Sequence, residues 1–125
     1  MSENLVILAP GSMTHILPSL LVEYHSLKPL SIHCEFGPSG SLRAKIEAGK
    51  HYHLFLSATT THTQDLFHSD HLSKHDVLGY NRMVLLHRHS IDVRQETVLS
   101  HLVDNARILG MSTTGLDPAG GLIAR

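Results

Sequence analysis

Short apolar runs alternate with turn residues and with stretches of helical period along this chain. Leu5-Val6-Ile7-Leu8-Ala9 is continuous, apolar and partly β-branched, which predicts a strand buried on both faces, as in a parallel sheet. Pro10-Gly11-Ser12 is a tight turn, and Ile16, Leu17, Leu20, Leu21 and Tyr24 follow at helical spacing. With Ser12 or Thr14 as cap, Pro18 falls in the first turn of that helix, where proline is tolerated. Leu30, Ile32, Cys34 and Phe36 then alternate with Ser31, His33 and Glu35, the period of a strand. Gly37-Pro38-Ser39-Gly40 breaks it. Leu42 and Ile46 share a helix face, Ser39 is placed to cap that helix, and Gly49 is a natural stop. Leu54-Phe55-Leu56-Ser57-Ala58 predicts a further strand, and Thr59-Thr60-Thr61 offers caps for a helix through Leu66 and Phe67. Val77 to His89 reads as extended around Met83-Val84-Leu85-Leu86, Val93 to Leu102 as a helix, and Ala106 to Met111 as a strand. A polar loop runs from Ser112 to Gly121, and Leu122 to Arg125 reads as the beginning of a helix.

Strand and helix therefore alternate about five times, which predicts an α/β fold with a mainly parallel sheet and helices on both faces. In such sheets ligands bind beyond the carboxyl ends of the strands, near helix N-termini. Ser12, Ser39 and the loop from Ser112 to Gly121 are all strand-to-helix turns of that kind. A small, glycine-flanked turn at a helix start leaves backbone N–H groups free beside a partial positive charge, the physical recipe for an anion site. The plain alternative is a capped helix with no ligand, since every helix needs a start.

Composition narrows the classes. A chain of 125 residues with 42% hydrophobic content suits one compact domain with a core. A net charge of −1 and the lack of a basic run argue against a general nucleic-acid binder. Cys34 is the one cysteine, so no disulfide forms within the chain. No basic segment followed by a long apolar stretch opens the chain, which leaves a cytoplasmic protein or a mature N-terminus with an added Met as readings.

Twelve histidines are scattered along the chain, so its charge depends on pH. His51/His53 and His87/His89 are spaced to share one face of a strand, and His71/His75 to share a helix face. No carboxylate or cysteine completes a metal site beside them, and surface histidine is the plain reading, so no metal ligand is assigned. Ser12 and Ser39 lack a nucleophile signature, and the aspartates fall where solvated or capping duty is the default, so no catalytic residue is assigned. Arg43 and Lys45 read as solvated helix charges rather than anion ligands.

Gly11-Ser12-Met13-Thr14, Phe36-Gly37-Pro38-Ser39-Gly40-Ser41-Leu42, Ile46-Glu47-Ala48-Gly49 and Leu54-Phe55-Leu56-Ser57-Ala58, taken in this order, resemble the extracellular solute-binding proteins of molybdate-type ABC transporters. Asn81-Arg82-Met83-Val84-Leu85 resembles that family's crossover strand, and Gly110 to Gly120 its second-lobe strand and binding loop. The resemblance implies a type 2 periplasmic-binding fold whose two lobes hold a tetrahedral oxyanion, molybdate or tungstate or their relative sulfate, with no further cofactor. It implies hydroxyl ligands at Ser12 and Ser39 with the N–H groups of Gly11 and Gly40, and N–H groups of Ala119 and Gly120 from the second lobe. It divides the chain into a first lobe with crossover strand, 1–89, and a truncated start of the second lobe, 90–125. An uncovered lobe favours a homodimer. The implied partner is a transporter permease, and the implied location is periplasmic or extracellular, or cytoplasmic if the missing leader is genuine. Lys50-His51-Tyr52-His53 stands where the family has Ala-Pro-Ala-Asp, so the aspartate is absent here. The competing reading from another class is an interaction or regulatory module on the same fold, binding a partner or a divalent metal through its histidines.

Overall fold

Strand β1 (Asn4–Pro10) is the middle of a three-stranded parallel sheet of order β2-β1-β3. The computed structural model describes residues 4–28 and 30–82, with the single positions 94, 100 and 104. β2 (Ser31–Gly37) pairs with β1 along its whole length, from Asn4 opposite Ser31 to Pro10 opposite Gly37. β3 (Leu54–Phe55) pairs on the other side, Ile7 opposite Leu54 and Leu8 opposite Phe55. β3 is shorter than the expected run to Ala58, although Leu56 N–H still reaches Leu8 C=O at 2.8 Å.

The continuous apolar run of β1 is explained by helices on both faces. Successive side chains of a strand point to opposite faces. Leu8 packs with Phe55 against Leu42, Ile46 and Leu66, which come from α2 (Ser39–Glu47) and α3 (Thr60–His68). Ile7 and Ala9 pack on the other side with Leu17 of α1 (Leu17–Leu27), where Ile32, Cys34, Phe36 and Leu56 join them. The α/β class, the parallel sheet and the two covered faces follow the sequence expectation.

β2 has one apolar face only. Glu35 projects from the face that carries α2 and pairs with Lys45 of α2 and with Lys50, the latter at 2.9 Å. Hydrogen bonds from these two ammonium groups hold the Glu35 carboxyl at about 2, well below its ordinary range. As pH falls from about 5, the unfolded chain takes up this proton before the folded one does. The contribution of Glu35 is therefore present above that range and lost as pH drops towards 2. Denaturant midpoints measured along this acid limb are expected to fall less steeply for Glu35→Gln than for the wild type.

The helix ends correct three local expectations. Neither Ser12 nor Thr14 caps α1, because residues 11–16 are taken up by a 3-10 segment (Gly11–Met13) and a hydrogen-bonded turn after it. The Thr14 hydroxyl donates to Gly11 C=O at 2.8 Å inside that segment, and Ile16 occupies the cap position without a side-chain bond. Pro18 does lie in the first turn of α1. Ser39 does not cap α2 either. Pro38 takes the cap position, and Ser39 is the first helical residue with its side chain turned inward. His71 and His75 share no helix face, since α3 ends at His68.

The C-terminal stops are clearer. Gly49 sits at φ +91°, with Gly49 N–H to Ile46 C=O and Lys50 N–H to Lys45 C=O both at 2.9 Å, the paired bonds of a Schellman closure. α3 closes the same way on Asp70, at φ +59°, with His71 N–H to Leu66 C=O at 2.8 Å. Thr59 caps its start, accepting from Thr61 N–H. A side chain in the left-handed region is unfavourable, so Asp70→Gly is expected to stabilise the protein by about 0.5–1 kcal/mol, read from thermal unfolding.

Residues 77–82 carry no regular element. The rest of the expected extended segment, the strand from Ala106, the loop with Ala119 and Gly120, and the boundary at 89/90 lie outside the described residues. Of the expected helix from Val93 to Leu102, only Arg94 and Ser100 are described.

Candidate functional site at the carboxyl edge of the sheet

Three parallel strands end at one edge, and each delivers a small polar turn there. β1 delivers Gly11-Ser12, β2 delivers Pro38-Ser39-Gly40, and β3 delivers Ser57-Ala58. The register that sets Pro10 opposite Gly37 places the first two turns side by side. The structure thus brings together four of the six expected ligand residues, Gly11, Ser12, Ser39 and Gly40.

The two serines differ in setting. Ser12 is exposed, and its hydroxyl makes no hydrogen bond among the described residues. Ser39 is only 1% exposed, and its Oγ accepts from Ala58 N–H at 3.1 Å. A hydroxyl has one donor and two acceptor sites, so this bond fixes Oγ and leaves the Ser39 proton to donate elsewhere. The first intrahelical bond of α2 is Leu42 N–H to Pro38 C=O at 3.0 Å. The N–H groups of Ser39, Gly40 and Ser41 therefore lie in the first turn without helical acceptors, at the positive end of the helix.

The third turn is a feature that sequence reasoning left inside a strand. Ser57 Oγ donates to Thr59 C=O at 2.7 Å and accepts from Thr59 N–H at 3.2 Å, which holds Ala58 between them. Its signal was the rule already applied to Ser12 and Ser39, a small polar residue just past an apolar strand run.

The cations of α2 and of the turn after it are engaged in ion pairs. Arg43 pairs with Glu47 at 2.9 Å and with Asp65, tying α2 to α3. Hydrogen bonding to Glu47 is the main cause that raises its guanidinium above the ordinary value. Lys45 and Lys50 are held by Glu35. His62, on α3, carries a buried Nδ1 without a partner among the described residues, and burial, followed by the nearby Arg43 charge, pushes its imidazole down. Among the described residues, the three turns bring neutral hydroxyls and backbone N–H groups to the edge. Such an arrangement takes an anion oxygen as hydrogen-bond acceptor.

A model for bacterial extracellular solute-binding proteins matches residues 5–125. The chain belongs to that family. No curated protein matches it. Membership gives this solute-binding protein its general task, binding a solute for transport, and an extracellular setting. Among the described residues no helix is long and apolar enough to cross a membrane, and no three His, Cys, Asp or Glu side chains group as metal ligands. His53 Nδ1 accepts from Val6 N–H at 2.9 Å, so the His51/His53 pair cannot use that nitrogen for a metal while the bond holds.

Proposed function

We propose that this solute-binding protein binds a tetrahedral oxyanion, molybdate or tungstate, with sulfate as the nearest competitor, for an ABC-type permease. The observation that carries the reading is the meeting of the Ser12 turn and the α2 start at one sheet edge. Ser12 and the N–H groups of Gly11, Gly40 and Ser41 make the first contacts. The covered Ser39 hydroxyl adds a bond from beneath, where water is already excluded and a hydrogen bond to an anion is stronger. Ala119 and Gly120, outside the described residues, supply further N–H groups in this reading.

Association into a homodimer is part of the proposal. Ile16, Val22 and Leu27 of the α1 region are between 55% and 77% exposed, apolar surface of the kind that pairing buries. The competing metal reading has no complete ligand set among the described residues.

Calorimetric titration with molybdate, with sulfate as competitor and on protein of measured mass in solution, tests the proposal. Saturable binding that sulfate displaces only weakly is the expected result, and its stoichiometry shows whether one chain or two build the site. A well-folded sample that takes up no molybdate, tungstate or sulfate overturns it.

A further inference from the structure

The N-terminal end of the sheet contains a bond that regular pairing would not make. In a parallel pair, the N–H and C=O of one residue address the same neighbouring strand. Val6 C=O receives His53 N–H at 2.9 Å, so Val6 N–H also faces the β3 side. β3 begins only at Leu54, and no strand carbonyl meets that N–H. The imidazole of His53 takes the place of the missing carbonyl, with Nδ1 accepting from Val6 N–H at 2.9 Å.

We propose that His53 is an acid-sensitive latch on the β1–β3 pairing. The donor is a backbone N–H, so Nδ1 must present a lone pair and the ring proton must sit on Nε2. Only the neutral ring can do this. Protonation turns Nδ1 into a second donor facing Val6 N–H, and the bond is replaced by repulsion. The latch is closed while the ring is neutral and opens as falling pH charges it.

The surroundings add to the effect. His51 stands edge-on to His53, with ring centroids 4.7 Å apart, so two cations would face each other once both rings are charged. On β2, His33 lies opposite Val6 in register. Lys50, three residues before His53, pairs with Glu35 of β2 at 2.9 Å. Tyr52, between the two histidines, donates its hydroxyl to His71 C=O and supplies no counter-charge.

Amide hydrogen exchange followed by NMR on the full chain, corrected for the intrinsic pH dependence, tests the latch without any ligand. Protection of the Val6 amide is expected to fall about tenfold as the solution is made acidic. The Leu56 amide, bonded to Leu8 C=O and independent of any imidazole, is expected to stay level. His53→Asn places an amide oxygen where Nδ1 stood, so Val6 protection should persist and lose its pH dependence. His53→Phe removes the acceptor, and protection should be low throughout. Level Val6 protection while the ring titrates overturns the latch. So does a matching fall at Leu56, which would mean opening of the whole sheet, or a His53→Asn variant that keeps the wild-type pH profile.

Discussion

Leu8→Ala is expected to destabilise the protein by about 2–5 kcal/mol, a large share of the about 5–15 kcal/mol that holds a domain of this size together. Leu8 is fully buried on the middle strand, where Leu42 and Ile46 of α2, Leu66 of α3 and Phe55 of β3 meet it. Truncation removes the transfer energy of the lost methyl groups and leaves a cavity. That cavity closes poorly, because β1 is pinned through seven registered pairs to β2 and cannot shift towards the helices alone. Leu20→Ala is the control. Leu20 is 52% exposed on α1, so its loss should stay within about 0.5 kcal/mol. Urea unfolding of both variants, with slopes compared, reads the difference. Equal midpoints would mean that the face between β1 and α2 is not the core of the protein.

The architecture was legible because burial on two faces leaves a one-dimensional trace. An unbroken run from Leu5 to Ala9 has few explanations other than a central parallel strand, and the structure splits it into Ile7 and Ala9 on one side and Leu8 on the other. Alternation in β2 named its apolar face, and Gly49 marked the end of α2 because its backbone angle suits glycine. Capping was read less well. A serine just before a periodic stretch looks like a cap, but Ser39 sits one residue too late and Ser12 several residues too early. The bonds that define the edge join residues far apart in sequence, Ser39 with Ala58 and Arg43 with Asp65, and local period carries no trace of such pairs. His53 is the sharpest case. Its spacing from His51 pointed to a shared face, whereas its role is set by Val6, forty-seven residues away.

Ser39→Ala is expected to show two losses with different causes. The first is structural. Without Oγ, the Ala58 N–H loses its acceptor at a part-buried position, and stability should fall by about 1–3 kcal/mol. The second follows from the proposed function. A hydroxyl donating to a charged oxygen contributes about 1.5–3 kcal/mol, so molybdate affinity should fall about ten- to a hundredfold. Ser12→Ala separates the two. Ser12 is exposed, and its hydroxyl has no partner among the described residues, so its loss should leave the unfolding midpoint within error and still weaken molybdate binding. Ser39→Thr keeps the oxygen that accepts from Ala58, and should recover most of the stability if its extra methyl fits. Measured together by calorimetry and urea unfolding, the three variants divide the edge into its parts. A fall in stability at Ser39 with unchanged affinity at both serines would make the turns structural joints only, and would place the solute elsewhere in the protein.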